Sequence, residues 1–270
     1  VSGNDRQLER DALARLSRVQ GPGQLRATIL ALIAPADNAA SFVCWTEETQ
    51  DAATAAVLRE DVMQLTDAAR LPCLEAMLQR MRACSKDDRR RLLESTRRVM
   101  AAFSPLRPID RLHWLAMRRR LGERPPVAAL PEAHNDLHKL PGMMVMRIAG
   151  VVAYLARMVP GPDDKAGQAA WYAAAMRAVI EAENVPPRAA PDGDGLAHAL
   201  LEVEALPWML RPVLLRAWVD AALATSQRAR LRPMAADALR LVAGLLDSPL
   251  PPKLARHYVV LDWAPPAGTR

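Results

Sequence analysis

At 270 residues the chain is long enough for one large domain or two of ordinary size, so no disulfide or metal staple is required to complete a core. Hydrophobic residues make up 51% and charged residues 24%, a globular balance, while Phe, Trp and Tyr reach only 4%; Leu, Ala, Val and Met must fill the interior, which favours helices over sheets. The net charge of +6 and a pI near 9.7 invite a nucleic-acid partner, but Lys is confined to Lys86, Lys139, Lys165 and Lys253, and an Arg- and Ala-rich chain is also what a GC-rich genome encodes.

The chain opens on "VSGNDRQLERDAL", polar where a secretory signal would be apolar. The first helix with a clear register is "LRATILALIA", in which Leu25, Ile29, Leu32 and Ile33 share one face between breaks at 20–24 and 34–37. In "LPCLEAMLQRM" the residues Leu71, Leu74, Met77, Leu78 and Met81 do the same. Ser85 followed three residues later by Asp88 predicts a capped helix start, with Asp87 and Asp88 where the helix dipole favours negative charge. Prolines from 121 to 131 cannot continue a helix, so a linker at 123–131 is expected between an N-terminal unit 1–122 and a C-terminal unit 132–270.

The longest apolar run, Met143 to Val159, is about one bilayer span long but carries Arg147 and Arg157, each costing roughly 2.5 to 3.5 kcal/mol near a bilayer centre. It is expected to be a buried helix, and no membrane span is expected. "GPDDKAGQAAWYAAAMRAVI" opens a helix on acidic residues, and "PDGDG" from 191 to 195 reads as a turn feeding the next one. Strand-like alternation is limited to "HYVVLDW" near the end. Two segments also look alike: Leu71-Pro72 and Leu206-Pro207 each lead into amphipathic helices, a polar turn and a closing helix. The expectation is an all-α fold.

Few residues are arranged for chemistry. Three scattered cysteines, Cys44, Cys73 and Cys84, build no disulfide framework, and a reducing cytoplasm is the simplest setting for them. "EAHNDLHKL" sets His134 and His138 four apart, as on a zinc-protease helix, but Asn135 stands where the general base would be. His134 and His138 therefore remain metal candidates without a catalytic carboxylate, and a closed site needs more ligands than these two. "DDRRRLLESTRR" and "MRRRLG" carry Arg89, Arg90, Arg91, Arg97, Arg98 and Arg118, Arg119, Arg120. Consecutive Arg splay around a helix, and no aromatic is interleaved with them in sequence, so a solvated face paired to Asp87, Asp88, Glu94 and Asp110 competes with nucleic-acid binding by Arg89, Arg90, Arg97, Arg98, Arg118 and Arg119. In "PDGDG" the later ligand positions of a calcium loop fall on Leu196 and Val203, which removes that reading. No nucleophile elbow, phosphate-cradling loop or Cys-x-x-Cys pair is present, and no catalytic residue and no cofactor are expected.

The segments "LRATILALIA", "RLPCLEAMLQRMRACSKDDRRRLLESTRRVMAAF", "IDRLHWLAMRRRLG", "RIAGVVAYLARM" and "LLDSPLPP", in that order, resemble the C-terminal helical region of bacterial membrane zinc metallopeptidases of the HtpX and CAAX-prenyl-protease type, which contains TerB-like units. The resemblance spans most of residues 24 to 252. It implies two helical bundles and a non-catalytic regulatory or interaction region, cytoplasmic or the cytoplasmic part of an inner-membrane protein. It also implies a protein partner, or the peptidase body in cis, with the zinc helix upstream of Val1. TerB-like units carry an acidic-Gly turn followed by a Glu on the next helix. Here the turns read "AFSPLRPID", with His113 near the Glu position, and "ATSQRARLRP", so no metal role is carried over. A free-standing Arg-rich nucleic-acid binder and a small hydrolase built on His134 and His138 are the competing classes.

Overall fold

Apolar residues at every third or fourth position give helices throughout. The structure, a computed structural model, describes residues 3–35, 38–103, 105–122, 136–226 and 229–263. Among them are thirteen α-helices, two 3-10 turns (Leu137–Lys139 and Ala182–Asn184) and no strand: the fold is all-α. By compactness the chain divides into Val1–Glu123 with Tyr258–Arg270, and Arg124–His257. The expected Pro-rich linker at 123–131 lies outside the described residues.

The first unit is built on α1 (Gly3–Leu16), α2 (Pro22–Ile33), α3 (Ala39–Glu48), α4 (Ala55–Met63), α5 (Asp67–Arg82), α6 (Lys86–Ala102) and α7 (Pro108–Leu121). Helix α2 is buried on every side from Leu25 to Ile33, because α3, α4, α5 and α6 all pack against it. The apolar face of α5 foreseen from its spacing is buried as a set: Leu71, Leu74, Met77, Leu78 and Met81. Ser85 caps α6 by accepting the Asp88 N–H at 3.1 Å. Pro108 opens α7, where the buried Asp110 accepts the Arg107 backbone N–H at 2.8 Å and its guanidinium Nη2–H at 2.7 Å.

Pro72 sits inside α5 and has no N–H for the carbonyl of Ala68, four residues back. The backbone N–H of Val259 donates to that carbonyl at 3.1 Å, and Arg80 lies 5.1 Å from the ring centre of Trp263. "HYVVLDW" is therefore no strand; it is an irregular strap on the first unit. This is why the second unit ends at His257 here and not at 270.

The second unit contains α8 (Gly142–Leu155), α9 (Lys165–Met176), α10 (Gly193–Glu204), α11 (Leu210–Thr225), α12 (Pro233–Leu245) and the short α13 (Pro252–Ala255). No helix among the described residues is long and apolar enough to cross a membrane. The apolar run from Met143 becomes α8, packed against α9 and α10, and both of its arginines find partners. Arg147 donates to Glu202 at 2.7 Å, and Arg157 lies over Tyr154 at 5.2 Å. Asp164 and Asp192 cap α9 and α10 by accepting the N–H of Gly167 and Gly195. The centre holds two fully buried indoles, Trp171 of α9 donating to the carbonyl of Trp218 in α11 at 3.1 Å. The two Leu-Pro segments do not repeat as structure: Leu71-Pro72 lies within α5, and Leu206-Pro207 lies between α10 and α11.

Candidate functional site

Of the two metal candidates, His134 lies outside the described residues. His138 is exposed in the 3-10 turn Leu137–Lys139, where its backbone N–H donates to Asp136 Oδ1 at 3.0 Å. Among the described residues no three His, Cys, Asp or Glu side chains converge as a metal site. His113 is part-buried on α7, with Nδ1 shut off from water and unpartnered. Burial pushes its pKa down to about 4, against a smaller upward pull from Asp110, so the ring is neutral at ordinary pH. Nor is a thiolate at hand. Burial raises all three thiols, that of Cys73 to about 12.

The arginines are partnered differently from the sequence expectation. Arg98 grips Glu48 at the end of α3, with its Nη2 at 2.9 Å, and Ser95 Oγ–H donates to the same carboxylate at 2.6 Å. Arg91 reaches Asp51 at 3.3 Å, on the other side of which stands the buried Arg26. Arg98 holds the Glu48 carboxyl below its usual range, and Arg26 does the same for Asp51. Two of the four acids expected to serve are otherwise engaged: Asp88 meets Ser85 at the start of α6, and Asp110 meets Arg107. Arg90 is exposed, Arg89 and Arg119 are part-buried, and Arg89 Nε has no partner.

Arg97 of α6 and Arg118 of α7 converge on one side chain. Their guanidinium carbons lie 5.1 and 6.0 Å from the ring centre of Trp114. An aromatic is thus interleaved with the arginines in space though not along either Arg run. The signal available in the sequence was Trp114 lying four residues before Arg118, on the same helical face.

Sequence reasoning missed a group of exposed apolar side chains in the second unit. Trp208, in the turn after α10, is 73% exposed, and Met209 and Val213 stand exposed beside the start of α11. Helices α8 and α10 run antiparallel: Arg147 meets Glu202, whereas a Cβ on Gly150, further along α8, would stand 3.8 Å from Pro191, ahead of α10. The start of α8, with exposed Met143 and Met146, therefore lies at the α10 end that leads to Trp208. Large apolar side chains gathered at one end are unusual on a solvated surface. The clue was "PWM" following a Leu-Pro break, which periodicity alone assigns to a core face.

No family model matches this chain, and comparison with curated proteins and with solved structures likewise finds no match.

Proposed function

We propose that this chain is a non-catalytic helical interaction region and that the Trp208 end of its second unit is the surface it offers to another protein. The observation that carries this reading is the exposure of the Trp208 indole beside Met209 and Val213 in sequence, with Met143 and Met146 exposed at the start of α8. An indole left in water gains most when a partner covers it, and Met side chains adapt to the covering surface. Arg216, exposed one turn beyond Val213, makes an acidic edge on the incoming element favourable, and an amphipathic helix is the simplest element of that kind. The resemblance to the tails of membrane zinc metallopeptidases implies as partner either a separate protein or the peptidase body in cis.

The Arg-rich nucleic-acid reading has less support, because Arg98 is paired with Glu48 and Arg91 contacts the Asp51 carboxylate that it shares with Arg26. The test is photo-cross-linking in the native host with benzoylphenylalanine in place of Trp208, and with Ala224 as the exposed comparison site. The proposal expects one dominant protein adduct at position 208, lost when Met209 and Val213 are both changed to Ser. Adducts of equal yield and identity at 208 and 224, or none at 208, would remove it.

A further inference from the structure

We infer that Arg97 and Arg118 form a two-pronged anion site that takes paired carboxylates from an acidic segment of a partner protein. Two like charges on neighbouring helices repel, and a native surface ordinarily sets a carboxylate between them. None is there: among the described residues neither Arg97 nor Arg118 makes an ion pair or a side-chain hydrogen bond. Instead both rest on Trp114, whose ring holds each guanidinium in place without neutralising it. Both side chains are exposed and their N–H groups are unspent, so they can give charge-assisted, bidentate hydrogen bonds to carboxylates arriving from outside.

The surroundings favour a short acidic protein segment over a polynucleotide. Trp114 is only 9% exposed, so it offers no face on which a base could stack. Of the arginines that would extend a phosphate track along α6, Arg98 is occupied by Glu48, and Arg91 contacts Asp51, which it shares with Arg26. What remains is a focus of two charges. This deepens the interaction-region reading by naming the chemistry of a contact on the first unit, and it stands or falls apart from the cross-linking result at Trp208.

The test is fluorescence anisotropy of the full chain with a labelled peptide of repeated Glu-Glu-Ser, and with a labelled oligothymidylate of equal formal charge. Three forms are compared: the native chain, Arg97→Gln with Arg118→Gln, and the charge-matched Arg82→Gln with Arg177→Gln. All four positions are exposed, so each chain is expected to fold, which circular dichroism checks. The proposal expects the first pair to weaken peptide binding by about tenfold or more and the matched pair by no more than about threefold, with the native chain preferring peptide to oligonucleotide. Equal weakening by the two pairs, absence of peptide binding, or tighter binding of the oligonucleotide would each overturn it.

Discussion

His113 is buried enough to lose its proton well below its usual range, and that fixes a pH dependence. Its imidazole is held neutral by burial, with a folded-state pKa of about 4 in place of 6.5. Below pH 6.5 the unfolded chain takes up a proton that the folded chain refuses, so stability falls as pH drops from about 6.5 to about 4 and levels off beneath that. At roughly 1.4 kcal/mol per pH unit of difference the loss is on the order of 3 kcal/mol. His257 is lowered by burial too and adds to the slope in the same direction. Glu48 and Asp51 act elsewhere: their carboxyls are held low, so their contribution is complete above the usual acid range and disappears at more acid pH. Urea unfolding at a series of pH values should therefore show His113→Gln with much less slope than the native chain between pH 6.5 and about 4.5. An unchanged slope would mean the ring is not kept neutral.

At the scale of elements, Pro72 in α5 and Val259 in the strap form one unit of argument. Pro72 leaves the Ala68 carbonyl without its helical donor, and the Val259 N–H supplies the bond. Val259→Pro removes that donor and is expected to cost about 1 kcal/mol in the native chain. With Pro72→Ala already present, the helix supplies its own N–H, and the same change at 259 should cost little. A double-mutant cycle by denaturant unfolding reads the coupling, and additive effects would show that the strap is held by something else. The same pair marks what could be read in advance. Helix registers such as Leu71 to Met81 and the Ser85 cap were legible, because both depend on residues within a few positions of each other. The strap was not, because its donor and acceptor are far apart in the chain and its alternating pattern imitates a strand. The Arg98 partner, Glu48, is fifty residues away, and the convergence of Arg97 and Arg118 on Trp114 needs two helices in register, so neither could be read from local spacing. Trp208 was visible as a letter, but its exposure depends on α10 ending before it.

At the scale of the whole molecule, each unit closes a core of its own, around α2 in the first and around Trp171 and Trp218 in the second. A cavity made in one should therefore loosen that unit first. Trp218→Ala removes a fully buried indole while keeping the backbone carbonyl that Trp171 donates to, and a loss of about 3 to 5 kcal/mol is expected. Part of the native cost is already sunk in the Trp218 Nε1–H, which is buried without a partner, so the loss should fall toward the lower end. Leu30→Ala in α2 is the matching change in the first unit, expected to cost about 2 to 5 kcal/mol. Hydrogen exchange followed by mass spectrometry on the full chain separates the two: Trp218→Ala should speed exchange in α9, α11 and α12 and leave α2 and α5 protected, with the reverse pattern for Leu30→Ala. If either change raised exchange equally across α2, α5, α9 and α11, the chain would unfold as one cooperative body, and the two anchoring surfaces, at Trp208 and at Arg97 with Arg118, could not be tuned one without the other.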